Sequence, residues 1–185
     1  MNLELADKRV FVAGASRGIG AVIAATFLAE GASVHLVARD GAALEARCAD
    51  LTASGGQTVS ATTGDMTDTD DIERALDAAG TIDILISNAG ATDTAPGYDT
   101  SDAEWQRLID ANVSGPARLA RAAVKRISGG GAIAFVGSIA GREVLGAPIA
   151  YTVGKCGLRA LTKAMAPEVA RVGIRVNMVL SLIHI

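Results

Sequence analysis

From Arg9 to Gly20 the chain reads Arg-Val-Phe-Val-Ala-Gly-Ala-Ser-Arg-Gly-Ile-Gly, an apolar run that ends in a glycine-rich turn. Arg9 to Ala13 has the form of a strand covered on both faces, because its apolar residues are continuous rather than alternating. The turn spaces its glycines as G-x-x-x-G-x-G over Gly14, Gly18 and Gly20. Gly14 permits the tight turn out of the strand. Gly18 lets backbone approach a phosphate with no Cβ in the way, and Gly20 lets the next helix close on the strand. Helical spacing runs from Ala21 to Glu30 and stops at Gly31. A helix opening there turns free N–H groups and the positive end of its dipole toward an anion. A turn rich in small residues with no ligand is the plain alternative. The position, after a first strand and before a helix, favours a dinucleotide site. A P-loop is excluded, since no Gly-Lys-Ser/Thr follows.

Outward from that turn the same alternation continues almost to the end. Ser33–Ala38, Gln57–Thr63, Ile82–Ser87, Ala132–Val136 and Ile174–Leu180 read as strands. Between them, Gly41–Ala53, Asp68–Ala79 and Ile149–Val172 carry helical patterns, the second with acids in its first turn, where the dipole favours them. Ser101-Asp102-Ala103-Glu104 has the capping-box form, which predicts a long helix to Ser128, broken by Gly129, Gly130 and Gly131. Pro167 cannot donate to the Lys163 carbonyl and is expected to kink or weaken the last helix. Strands alternating with helices predict βαβ units and a parallel sheet.

Composition bounds the function. The chain has 185 residues, half of them apolar and a fifth charged, which fits one domain with a sizeable core and excludes disorder. Aromatics are 3% while glycine numbers 21, so the core is built from small and branched aliphatic side chains. The net charge of −3 lacks the basic excess of a nucleic-acid binder. Two cysteines, Cys48 and Cys156, make no disulfide framework, so a reducing cytoplasm is expected. No apolar run reaches the length of a membrane helix, and the start Met-Asn-Leu-Glu-Leu lacks a signal-peptide form. No His/Cys/Asp cluster has ligand spacing, so no metal is expected. His35 reads as a core or edge residue of its strand, Trp105 and Leu108 as residues packed on the sheet, and Cys156 as a thiol without a role. Ala91 to Thr100 either borders the substrate pocket or is a surface loop.

The end of the second strand normally selects the nucleotide, an acid there favouring NAD. Here it reads Val37-Ala38-Arg39-Asp40, with Ala38 in the acid's place. Arg39 and Arg17 offer guanidinium groups suited to a 2′-phosphate, so NADP is expected over NAD. Asp40, and the reading of both arginines as solvated surface residues, weigh on the other side. Further on, Tyr151 and Lys155 stand at i and i+4, on one helix face. An ammonium beside a phenol favours the phenolate and prepares the tyrosine to pass a proton near neutral pH. The spacing alone is common. Ser138 adds to it, because it ends the fifth strand on the side where open α/β sheets bind ligands.

Taken together with the motifs around them, these residues resemble those of the classical short-chain dehydrogenase/reductase family. The likeness runs from Lys8 to about Val179. It rests on the turn Gly14–Gly20, Gly64-Asp65-Met66, Ser87-Asn88-Ala89-Gly90, Asn112, Ser138, Tyr151 with Lys155, and Gly173-Ile-Arg-Val-Asn177, in that order. The resemblance implies a Rossmann-type, doubly wound parallel sheet of order 3-2-1-4-5-6 and hydride transfer between NADP and a small carbonyl or alcohol. It implies that Tyr151 is the acid/base, that Lys155 orients the nicotinamide ribose, that Ser138 positions the substrate and that Asn112 supports a water-linked relay. Gly14, Ser16, Arg17, Gly18, Ile19, Gly20 and Arg39 would hold the phosphates. Asp65 and Met66 would lie on the adenine, and Asn88, Ala89 and Gly90 on the adenosine ribose. A homodimer or homotetramer is implied for the full-length form. A non-catalytic nucleotide-binding module and an inactive fragment of such an enzyme are the rival readings.

The sequence departs from the family in two places. Ser87 stands where the family has an asparagine that supports the sheet. After Val179 the family continues with Pro-Gly and a substrate-covering segment, whereas here Leu180-Ser181-Leu182-Ile183-His184-Ile185 follows. Those six residues translate the mosaic-end adapter of transposase-based sequencing libraries. The expectation is therefore a domain over 1–179, incomplete at its C-terminal side, and a non-native tail over 180–185. A short apolar strand is the other reading of the tail.

Overall fold

The computed structural model describes residues 3–53, 57–92, 97–143 and 146–181. Six strands form one parallel sheet: β1 (Arg9–Ala13), β2 (Ser33–Ala38), β3 (Val59–Thr63), β4 (Ile82–Ser87), β5 (Ile127–Ser138) and β6 (Arg175–Ser181). Their order is β3-β2-β1-β4-β5-β6, the expected doubly wound arrangement. The order reverses between β1 and β4. There the glycine turn that follows β1 faces Asn88–Gly90, which follow β4, and such a reversal is where open α/β sheets take ligands.

Side chains alternate across the sheet and fill two cores. Phe11, Leu85, Ile133 and Phe135 point to one face, against Ile72 and Leu76 of α3 (Thr69–Ala79) and residues of the later helices. Val10, Val12, Val34 and Leu36 point to the other, against α1 (Gly18–Ala29) and α2 (Gly41–Ala53). Both faces of the central strands are covered, which is why those strands read as continuous apolar runs. α1 begins at Gly18, earlier than the apolar spacing indicated, because the glycines themselves take up its first turn.

The region predicted as one helix from Ser101 to Ser128 differs. It comprises α4 (Asp102–Ile109), a π-helical turn over Asp110–Ser114, and α5 (Gly115–Val124). Pro116 explains part of this, since it has no N–H to give the Asn112 carbonyl in an α-helical ladder. Ser101 caps α4 by accepting the Glu104 N–H at 3.3 Å, but the Glu104 carboxylate turns to Arg107, so the capping box is half formed. The glycines 129–131 do not end an element. β5 already pairs at Ile127 with Ile82 and pairs again at Ala132 with Ile84, so the extra residues bulge out of the ladder. The last helix, α6 (Ile149–Ala170), runs through Pro167 for a further turn. β6 carries Leu180 and Ser181, pairing Ser181 with Ser138 across the expected boundary at Val179. Residues 182–185, His184 among them, lie outside the described residues.

Of the smaller expectations, that for Trp105 shifts. Leu108 is buried, but Trp105 is 37% exposed and does not pack into the core. Cys156 is exposed, its thiol turned to the Gly141 carbonyl. His35 is buried in an interior strand, bonded to Ser60 and Thr62 of β3 and stacked on Phe11. Among the described residues no helix is long and apolar enough to cross a membrane.

Candidate active site

The glycine turn closes tightly on its neighbours. Gly14 has φ +77° and Gly18 φ +58°, both left-handed conformations that other residues rarely take. A Cβ at Gly20 would fall 2.1 Å from the Gly14 carbonyl oxygen. Asn88 ties β4 to this turn by donating from Nδ2 to that same oxygen at 2.9 Å. Gly18 faces open space, and no side chain caps the first N–H groups of α1. Beside the turn, Ser16 and Arg17 line a cleft of about 700 Å³ together with Arg39, Asp40, Asp65, Met66 and Asn88, among others. Ala89 and Gly90 line it as well.

Charge in the cleft is divided. Arg39 is well exposed and stands 3.9 Å from Asp65. Asp65 also fixes its own turn, accepting the Thr67 N–H at 2.9 Å and the Thr67 hydroxyl at 2.8 Å. Asp40 lines the cleft too, and one of its carboxylate oxygens caps α2 by accepting the Ala43 N–H at 3.1 Å. Arg17 stands at the N-cap of α1 without a capping bond from its side chain.

A second cavity of about 210 Å³ adjoins the first, sharing Asn88, Gly90 and Ala91. Asn112, Ser138, Tyr151 and Lys155 all line it, as does Ile19 from the start of α1. Ser138 ends β5 and accepts the Ala140 N–H at 3.2 Å, which leaves its hydroxyl proton to donate. Lys155 is buried, donates to the Val136 carbonyl at 3.2 Å, and lies 5.7 Å from the centre of the Tyr151 ring. Burial pushes its pKa down to about 8. Asn112 is fully buried at the π-helical turn, a feature common at functional sites. Its Nδ2 donates to the carbonyls of Ala91 at 2.7 Å and Leu108 at 2.9 Å, while its Oδ1 has no protein partner. Among the described residues no cluster of three His, Cys, Asp or Glu side chains could hold a metal.

Every site residue inferred from the sequence thus lines one of two adjoining cavities, except Gly18 and Gly20, which shape the turn between them. Ala91 and Thr92 border the smaller cavity, residues 93–96 lie outside the described residues, and Tyr98 is 95% exposed. Sequence reasoning missed the carbonyls of Ala91, Leu108 and Val136, because a backbone acceptor has no residue type to read. It also missed Gly154 of α6, where a Cβ would meet that of Asn112 at 2.9 Å. The signal was available: glycine inside a helix costs about 1 kcal/mol against alanine, so a packing reason is to be sought.

The family model for short chain dehydrogenases matches residues 8–182. The chain belongs to the short-chain dehydrogenase family. It is accordingly an oxidoreductase acting on alcohol and carbonyl groups. This short-chain dehydrogenase is 36% identical to the 3-oxoacyl-acyl-carrier-protein reductase FabG of Escherichia coli, over 97% of the chain and 73% of that protein. It is 31% identical, with a TM-score of 0.91, to the L-sorbose reductase of Gluconobacter frateurii solved with NADPH and L-sorbose; the match covers 97% of this chain and 71% of that one. A short-chain dehydrogenase from Burkholderia cenocepacia, solved with NADP, is 30% identical with a TM-score of 0.88, over 95% of this chain and 74% of that one.

Proposed function

We propose that this short-chain dehydrogenase is NADP(H)-dependent, and that it reduces a ketone or aldehyde, or oxidises the matching alcohol, with Tyr151 as acid and base. The observation that carries this reading is the convergence of Ser138, Tyr151, Lys155 and Asn112 on one cavity beside the glycine-turn cleft.

The cleft suits the dinucleotide. The uncapped start of α1 and the open face of Gly18 are where a pyrophosphate would be held. Arg17 and Arg39, which line the cleft, would hold the 2′-phosphate. Asp65 and Met66 would meet the adenine, and Asn88, Ala89 and Gly90 the adenosine ribose. NADP and NADPH in two similar structures support the same choice. The chemistry that bound NADPH supplies is hydride donation to the carbonyl carbon.

The chain's own residues supply the rest. Ser138 donates its free hydroxyl proton to the substrate oxygen and fixes its place. Tyr151 gives that oxygen a proton from its phenol as negative charge develops there. Lys155, held by the Val136 carbonyl, keeps a positive charge beside the Tyr151 ring and stands where the nicotinamide ribose would lie. Asn112 supports the path by which a proton returns to Lys155. A cytoplasmic homodimer or homotetramer completes the proposal. Free cysteines suit a reducing compartment. Trp105 on α4 and Ile149 and Val153 on α6 supply exposed apolar side chains for a subunit contact.

The test is turnover by the full chain. NADPH consumption is followed with acetoacetyl-CoA, ethyl acetoacetate and L-sorbose in turn, and again with NADH. Saturable reduction of at least one carbonyl, faster with NADPH, is expected. A chain that binds NADPH tightly yet reduces none of them, and oxidises none of the matching alcohols, would be a binding module instead.

A further inference from the structure

The end of β5 and the middle of α6 meet behind the smaller cavity. β5 ends at Ser138, and a short helical turn over Ile139–Gly141 follows, which Ser138 caps by accepting the Ala140 N–H. That turn packs on α6 at Lys155. A Cβ built on Gly141 would lie 2.7 Å from both the carbonyl carbon and the carbonyl oxygen of Lys155, and 3.0 Å from its Cβ. The two nearest atoms are backbone, so no change of rotamer relieves the clash, and the turn must stand off the helix. Gly141 is buried and is not among the residues with positive φ, so its conformation does not require glycine. What requires glycine there is the close approach to α6.

Lys155 is thereby gripped from both sides of one strand end. Its ammonium donates to the carbonyl of Val136, just before Ser138, and its backbone meets Gly141, just after it. The next residue along the helix adds a third tie, since the Cys156 thiol donates to the Gly141 carbonyl at 3.2 Å. Tyr151 stands one turn earlier on the same helix. The separation of Ser138 from the face that carries Tyr151 and Lys155 therefore depends on how closely this turn seats on α6.

We infer that Gly141 is a positioning residue for the reaction: its missing side chain lets the turn behind Ser138 seat on the Lys155 backbone, and that contact sets the spacing of Ser138 from Tyr151 and Lys155. The Cys156 thiol latches the seated turn. Ser138 has to hold the substrate oxygen within hydrogen-bond reach of the Tyr151 hydroxyl, and a misplacement of about 1 Å is enough to cost on the order of 10²-fold in rate. A methyl group at position 141 causes that misplacement from behind, since Gly141 is not one of the residues that line the cavity. The inference rests on the roles proposed for Ser138, Tyr151 and Lys155.

The test is kinetic, on the full chain, with Gly141→Ala, Cys156→Ala, Cys156→Ser and, beside them, Tyr151→Phe. The substrate is whichever of acetoacetyl-CoA, ethyl acetoacetate and L-sorbose the parent reduces fastest. kcat, KM and NADPH affinity are measured at a temperature where urea unfolding shows each variant folded. Gly141→Ala is expected to lower kcat by roughly 10- to 100-fold and to leave KM and NADPH affinity close to the parent's, because the loss falls on the transition state rather than on binding. A glycine that served stability alone would leave the kcat of the folded enzyme unchanged. Cys156→Ala should lower kcat by about two- to tenfold, as the loss of one hydrogen bond does. Cys156→Ser, whose hydroxyl still donates to the Gly141 carbonyl, should restore most of it. Parental kcat in folded Gly141→Ala overturns the inference. If Gly141→Ala does not fold, the cysteine pair decides: Cys156→Ala at parental kcat, or Cys156→Ser no better than Cys156→Ala, overturns it. Tyr151→Phe keeps the two claims apart. Parental turnover there, or a parent that reduces none of the three carbonyls, overturns the underlying reading and the inference with it. A slow Tyr151→Phe beside a parental Gly141→Ala overturns the inference alone.

Discussion

Lys155 is buried in the smaller cavity, and burial alone pulls its pKa down to about 8. The ammonium is therefore retained at neutral pH and given up as pH rises through that value. If the charge beside Tyr151 is needed, kcat for carbonyl reduction should hold near neutrality and fall above about pH 8. A profile flat to pH 10 would detach Lys155 from the chemistry. Arg39 gives a second prediction. Arg39→Ala should weaken NADPH by roughly 10- to 100-fold, the loss of one charge-assisted contact, and leave NADH almost unchanged. Fluorescence titration with both nucleotides measures it. At this scale the sequence was legible wherever side-chain identity carries the chemistry, as at Ser138, Tyr151, Lys155 and Arg39. It was silent where the partner is a carbonyl, as at Val136, or where a residue has two possible tasks. Asp40 is such a residue: it lines the cleft and also caps α2 through a 3.1 Å bond from the Ala43 N–H.

Strand β1, the glycine turn and helix α1 act as one element, and Gly20 is its tightest point. Gly20→Ala would bring a methyl group against the Gly14 carbonyl oxygen and the Asn88 amide that holds it. The turn must open, so a loss of about 1–3 kcal/mol in stability is expected, together with loss of NADPH binding. Urea unfolding and nucleotide titration report the two effects, and a stable variant with parental NADPH affinity would contradict the packing argument. Elements with an unbroken local pattern were legible to their ends: β1, β2, β4 and α2 fall where the sequence puts them. The stretch from α4 to β5 was not. Its helical spacing continues past Asp110, but Pro116 withholds a donor and Asn112 turns its amide inward, so a π-helical turn intervenes. The glycines 129–131 look like a break and instead form a bulge, because Ile127 has already found Ile82 in the sheet. Pairing across the sheet decides such cases, and no local window contains it.

Over the whole molecule, the sheet order follows from the alternation of strands and helices together with the family resemblance, and the structure agrees with both. The sequence left open whether His35 belonged to the core or to an edge, and the structure buries it in the β2–β3 half. His35 bonds Ser60 and Thr62 on β3, and burial lowers its pKa from 6.5 to about 4. Unfolded chains bind the proton first, so this contribution is complete above pH 6.5 and is lost as pH falls toward 4. The loss amounts to at most about 3 kcal/mol. Urea unfolding across that range should show the parent losing stability more steeply than His35→Gln, and equal slopes would contradict it.

The central claim is that the Ser138–Tyr151–Lys155 cavity performs reduction at a nucleotide held by the glycine turn. The most direct measurement is kcat of Tyr151→Phe on the full chain at saturating NADPH, with NADPH affinity titrated alongside. The account predicts a fall on the order of 10²–10⁴ in kcat with NADPH binding largely kept. Turnover like that of the parent in Tyr151→Phe would contradict it.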